Sequence, residues 1–161
     1  MTPEEITERT LSEYEIERGK PMPSLNHGII QSNLCFAILT KYRKEYSVIS
    51  ELSVELEKGK VVVPDLCIYP KKVYNGFKDR RKIAEPPLTA IEILSPTQGT
   101  DEFGEKFEGY FAAGVKSCWF VQPMVDTIFV ITPDKNISPF HKGVLTDPAT
   151  GITLDLNDVF A

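Results

Sequence analysis

The 161-residue chain has no apolar run near the roughly 20 residues that a membrane span requires. Its start, Met1-Thr2-Pro3-Glu4-Glu5, is acidic and lacks the basic and apolar blocks of a secretory leader, so a cytoplasmic location with no membrane partner is expected. Cysteine is scarce: Cys35, Cys67 and Cys118 sit singly in apolar stretches, an odd number with no metal-ligand spacing. A disulfide framework is therefore not expected, and the three read as small core residues. Only two histidines occur, His27 and His141, too far apart to form a His/Cys zinc box. Basic charge is not in excess either, the formal net charge being −5. That balance argues against a protein that grips nucleic acid mainly by its phosphates, although Lys71, Lys72, Lys78, Arg80, Arg81 and Lys82 form a local basic segment. Repeats and low-complexity tracts are absent, and the length fits one domain over residues 1–161.

Periodicity supplies the elements. Residues 2–11 read as a helix start, with Pro at the first helical position, and residues 14–18 as a strand that closes in a turn at Gly19-Lys20. From Ser24 a helix is expected, because Ile29, Ile30, Leu34, Ala37, Ile38 and Tyr42 recur at helical spacing. Residues 47–56 and 61–69 read as two strands of a hairpin, 70–87 as a polar, basic loop, and 88–94 as a short apolar strand in the middle of a sheet. A helix is expected over 101–113, with Phe103, Phe107, Tyr110 and Phe111 on one stripe and Gly114 as its stop. Strands over 117–121 and 127–132 follow, then a weak hairpin and a closing turn near 154–160. The order predicts an α/β layer, a mixed sheet covered by helices, with a parallel crossover from 88–94 to 117–121.

Two acids stand out against this background. Asp65 ends the run Val61-Val62-Val63-Pro64, and Glu92 interrupts Leu88-Thr89-Ala90-Ile91-Glu92-Ile93-Leu94. An ionised carboxylate in such surroundings costs roughly several kcal/mol unless a cation or donor meets it. Two of them on neighbouring apolar strands suggest a shared positive charge, and two oxygen ligands with open water positions suit magnesium or manganese better than zinc. Alternation would place Asp65 on the face of Val61, Val63 and Cys67, and Glu92 on the face of Ala90 and Leu94. Lys106, about 90° from the centre of the aromatic stripe on its helix, can lay its stem along the core and carry its ammonium over the strand end.

The ordered set Pro64-Asp65, Glu92-Ile93-Leu94-Ser95-Pro96, Lys106, Tyr110, Gly114-Val115, Trp119 and Val121-Gln122-Pro123 resembles the Uma-type restriction endonucleases of the PD-(D/E)xK nuclease superfamily. The likeness extends to Tyr14–Gly19 and Asn26-His27-Gly28. It implies a restriction-endonuclease-like fold and a metal-dependent DNA endonuclease, a hydrolase using Mg2+ or Mn2+. Asp65 and Glu92 would be metal ligands together with the main-chain carbonyl of Ile93, and Lys106 the catalytic lysine. In the superfamily that lysine normally stands two residues after the glutamate, where this chain has Leu94; the resemblance implies that it has moved to the following helix. Gln122 stands where the family often has aspartate, and the first helix offers His27, Gln31 and Asn33 in place of an acidic ligand.

His27 and Ser95 are candidate substrate contacts, with DNA as the partner. A homodimer is expected because cutting both strands requires two sites. The alternative is a catalytically inactive nuclease-fold module that binds nucleic acid or a protein. A serine hydrolase built on Ser95 and His27 is disfavoured, since no glycine-flanked nucleophile elbow surrounds Ser95.

Overall fold

The computed structural model describes residue 16, residues 22–96 and residues 101–161. The helix expected at 2–11 lies outside the described residues. Of the strand expected at 14–18 only Ile16 is described, and its backbone is helical instead.

Helix α1, Leu25–Tyr42, begins where the Ser24 side chain accepts the His27 N–H at 3.2 Å, and it buries His27, Ile30, Leu34 and Ile38. Strands β1 (Tyr46–Ser50), β2 (Ser53–Glu57), β3 (Lys60–Val62), β4 (Leu66–Pro70), β5 (Lys82–Ile83) and β6 (Thr89–Ile93) follow. Helix α2 spans Asp101–Ala112, then come β7 (Ser117–Gln122), β8 (Thr127–Ile131), β9 (Ile137–Phe140), β10 (Val144–Thr146) and β11 (Thr153–Asp155). Gly114 stops α2 with φ at 105°, a conformation that costs glycine little.

The main sheet has the order β1-β4-β6-β7-β8-β9, antiparallel throughout except for the parallel β6–β7 pair that α2 connects. All five residues of β6 are buried, as its apolar run and central place require. Period-two alternation sends Ile91, Ile93, Trp119 and Val121 toward α1, where they pack with Ile30, Leu34 and Ile38. Ala90, Cys118 and Phe120 face the other way and pack with Phe103, Phe107 and Tyr110 of α2. The protein is thus an α/β fold, a mixed sheet with a helix on each face.

The expected hairpin exists but is creased. Its two long strands each break in the middle, at Glu51-Leu52 and at Val63–Asp65, giving β1 with β4 in the main sheet and β2 with β3 in a second, three-stranded one. Register is kept across the break: Ser50 pairs Leu66 and Val54 pairs Val62, so Glu51 stands across from Asp65, whose carbonyl accepts the Glu51 N–H at 3.3 Å. Two causes are visible. Pro64 has no N–H to give a ladder, and Glu51 adopts a left-handed φ of 54°. The segment expected to be loop also contributes β5, two residues parallel to β2.

Candidate active site

Asp65 is the last residue of the crease, one residue before β4. It is 1% exposed. The Leu66↔Ile91 pairing of β4 with β6 brings it level with Glu92. Its carboxylate is held on both oxygens: His27 Nε2 lies 3.1 Å from Oδ1, and the Ile93 N–H donates to Oδ2 at 2.7 Å. The Gln31 side-chain amide donates to the Asp65 carbonyl at 3.1 Å and reaches Glu51 Oε1 at 3.5 Å. Asp65 is therefore not on a continuous strand with Val61 and Cys67, as alternation along one strand would have it. It stands on the corner between two sheets, fixed there by α1 and by the backbone of β6.

Glu92 lies inside β6 and points to the α2 side with Ala90. It is also 1% exposed, and its Oε1 accepts the Tyr110 hydroxyl at 2.6 Å. Lys106 Nζ approaches the same oxygen at 3.5 Å, with its side chain 24% exposed. Its ammonium lies 5.3 Å from the Phe103 ring centroid, so the stem runs over the aromatic stripe as its helical position requires. Leu94 shares the strand face of Glu92 and packs on the same α2-side cluster.

The two acids are thus separated by one peptide: Asp65 binds the N–H that follows Glu92. A helix from each face attends one of them, α1 through His27 and α2 through Lys106 and Tyr110. Charge-assisted hydrogen bonds of this kind contribute about 1.5–3 kcal/mol each and hold both carboxylates in place. Burial, then the Glu92 carboxylate beside it, pushes the Tyr110 hydroxyl well above its ordinary value of 10.0. It stays protonated and donates.

His27 and Ser95 sit differently from an open substrate contact. His27 is 1% exposed; with Nε2 turned to Asp65, its Nδ1 has no hydrogen-bond partner among the described residues. Ser95 is 4% exposed and lies beside a cleft of about 380 Å³ lined by Ser24, Asn26, Leu94, Pro96, Pro123 and Met124. Gln122 closes β7 opposite Thr127.

Three further residues join the site, of which the sequence named Tyr110 and Gln31 without these contacts and did not name Glu51. Tyr110 belongs to the aromatic stripe, and only its spacing of four from Lys106 signals a second duty. Gln31 and Glu51 join the site through the crease, which has no sequence signature beyond Pro64.

Among the described residues no group of three or more His, Cys, Asp and Glu side chains is placed to hold an ion. The donors present are two buried carboxylates, Asp65 and Glu92, all-oxygen ligands of the kind that would suit magnesium or manganese rather than zinc.

A third buried acid has another task. Asp147, fully buried, accepts Ser117 Oγ at 2.5 Å and Trp119 Nε1 at 2.8 Å on one oxygen and the Ala149 N–H at 2.8 Å on the other. Thr89 Oγ1 extends the chain to Ser117 at 2.7 Å. The network closes the opposite end of β6 and β7 and ties the 147–152 turn to the sheet.

Residues 4–157 match the model of a family described as "Uma2: Putative restriction endonuclease". The structure is similar to the crystal structure of a putative nuclease belonging to DUF820 from Anabaena variabilis ATCC 29413. The TM-score is 0.74 at 22% identity, over 99% of this chain and 97% of the other. No curated protein matches the chain. Among the described residues no helix is long and apolar enough to cross a membrane.

Proposed function

The chain belongs to the Uma2 restriction endonuclease family, and from that membership we propose that it is a metal-dependent endodeoxyribonuclease hydrolysing phosphodiester bonds in DNA. One observation carries the reading: Lys106 ends on Glu92 while Asp65 ends on the peptide that follows it, gathering three polar groups from separate segments at the rim of a buried sheet.

Asp65, Glu92 and the Ile93 carbonyl would hold Mg2+ or Mn2+. Such an ion supplies a water of lowered pKa and neutralises charge on the scissile phosphate. Lys106 carries a proton-bearing cation beside this point, where it orients the attacking water and donates to the oxygens of the phosphorane as charge builds. Tyr110 fixes the Glu92 rotamer by its 2.6 Å bond, and His27 does the same for Asp65. Because both acids are buried and doubly held, they need no reorganisation when substrate arrives. Cleavage of both strands calls for two such sites, hence a homodimer.

Calorimetric titration with Mn2+ and cleavage of supercoiled plasmid test the proposal together. Wild-type protein should bind the ion and nick or linearise the plasmid, and Asp65→Ala should lose both. Leu94 in the usual lysine position favours a second reading, a binding module without hydrolysis. No Mn2+ uptake, with DNA association unchanged in Asp65→Ala, would select that reading.

A further inference from the structure

The segment between β4 and β5 leaves the sheet at the end of β4 remote from Asp65. Its Lys72 is tied to Glu85 at 2.7 Å, and Lys82, which opens β5, to Glu55 at 2.6 Å. Lys71, Lys78, Arg80 and Arg81 are exposed and form no ion pair among the described residues. Between them stand Tyr74 and Phe77, with relative exposures of 92% and 101%. Neither ring therefore packs in the protein's own core.

Their turn is nevertheless built. Phe77 N–H donates to Asn75 Oδ1 at 3.0 Å and Lys78 N–H to the Asn75 carbonyl at 3.2 Å. The Tyr74 ring lies across Gly76, where an added Cβ would come within 3.1 Å of its hydroxyl. A cleft of about 670 Å³ runs between this segment and the edge strand β1, lined by residues that include Ser47, Ile49, Leu52, Val73 and Arg80.

We propose that this segment binds unpaired nucleotides, Tyr74 and Phe77 stacking on bases while Lys71, Lys78, Arg80 and Arg81 meet the phosphates. The inference rests on the DNA-hydrolase reading and narrows its substrate class to DNA that offers unstacked bases. Cations alone suit a duplex, whose base faces are already covered; two bare rings among cations suit a strand whose faces are free. A lipid surface calls for an apolar helix face or acyl chain, which this turn lacks. Six residue steps from Asp65 to Lys71 span about 20 Å, so a stacked strand touching both places is about six nucleotides or longer.

Fluorescence anisotropy in EDTA, with the full chain and a labelled oligothymidine of about 20 nucleotides, tests this against an abasic strand of equal length. The thymidine strand should bind about 10- to 100-fold more tightly than the abasic one. Tyr74→Ala/Phe77→Ala should erase that difference. Lys78→Gln/Arg81→Gln should weaken both strands alike and flatten the salt dependence. All four positions are exposed, so the fold is not at stake. Equal affinity for the two strands, or a preference that survives the ring substitutions, overturns the proposal. So does a double ring variant whose only loss is binding to phosphatidylserine vesicles or self-association in sedimentation. Plasmid cleavage by the wild-type protein, measured beside the strand preference, separates the two readings. If the preference holds while plasmid cleavage is absent even in wild type, the hydrolytic reading alone falls. If cleavage holds and the preference is absent, this inference alone falls.

Discussion

Tyr110 and Lys106 stand one helical turn apart on α2 and end on the same oxygen, Glu92 Oε1, at 2.6 and 3.5 Å. One contact is a short bond from a buried hydroxyl; the other is a longer ionic contact from a partly exposed chain. The two should separate when each is removed.

Tyr110→Phe keeps the ring in the α2-side core and deletes only the donor. Stability should fall by about 1–2 kcal/mol in urea unfolding, because Glu92 stays buried with one partner fewer. Turnover should drop about ten-fold as the glutamate gains rotamer freedom.

Lys106 and Glu92 should behave as a unit. Lys106→Ala and Glu92→Gln should each lower kcat about 100-fold or more, and the double variant no further than the worse single one. A double-mutant cycle on unfolding free energy should return a coupling of about 1–3 kcal/mol. Additive losses in both measurements would show that the 3.5 Å approach carries no function.

Asp65→Asn and Asp65→Ala should both abolish Mn2+ uptake and cleavage but differ in stability. Alanine leaves the buried Ile93 N–H and His27 Nε2 without their acceptor, for a loss of about 2–4 kcal/mol. Asparagine keeps a carbonyl for the Ile93 N–H and should lose less than about 1.5 kcal/mol. Thermal melts of the two variants against wild type check the order.

Asp147→Ala should destabilise more than either, by about 3–5 kcal/mol, since Ser117, Trp119 and Ala149 all lose a buried acceptor. Cleavage per folded molecule should be unchanged, because the network lies at the far end of β6 from Glu92. A loss of specific activity in fully folded Asp147→Ala would contradict this division.

Alkaline pH should unfold the protein in a defined order. Burial, then Glu92 and Asp147, pushes the Cys118 thiol above its ordinary 9.0, and burial and Glu92 raise the Tyr110 hydroxyl above 10.0. A raised folded-state value means that the unfolded chain releases its proton first. The stabilisation from these groups is whole below pH about 9 and is withdrawn as pH climbs from there through the folded-state values. Urea midpoints should therefore fall between pH 8.5 and about 10.5, less steeply in Tyr110→Phe.

Much of the site was legible because its residues contradict their surroundings. Glu92 in an apolar strand is costly unless it is partnered, and the five buried residues of β6 bear out the central strand that its run implies. The α2 stripe and the Gly114 stop likewise follow from local periodicity. What remained hidden depends on distant chain. Nothing near Glu51 announces its left-handed backbone, and Asp147 in a polar stretch gives no hint that Ser117 and Trp119 await it 28 to 30 residues earlier. Tyr110 was hidden for a different reason: an aromatic on a buried stripe is fully accounted for by packing, so its hydroxyl adds no pattern.

The crease at Glu51 and Asp65 has a mechanical consequence. The β2–β3 arm beyond it keeps the same register as far as the Glu55–Val61 pair and then shifts by one residue, so the acid is anchored on one side of a fold line and the hairpin tip at Lys58-Gly59 lies on the other. Residues added at the tip lengthen a ribbon and leave the anchor where it was. One residue added between Ser50 and Ser53 instead slides a single arm past its mate and swings the carboxylate out of register. The tip is free to be remodelled by insertion, whereas the fold line tolerates no change in length.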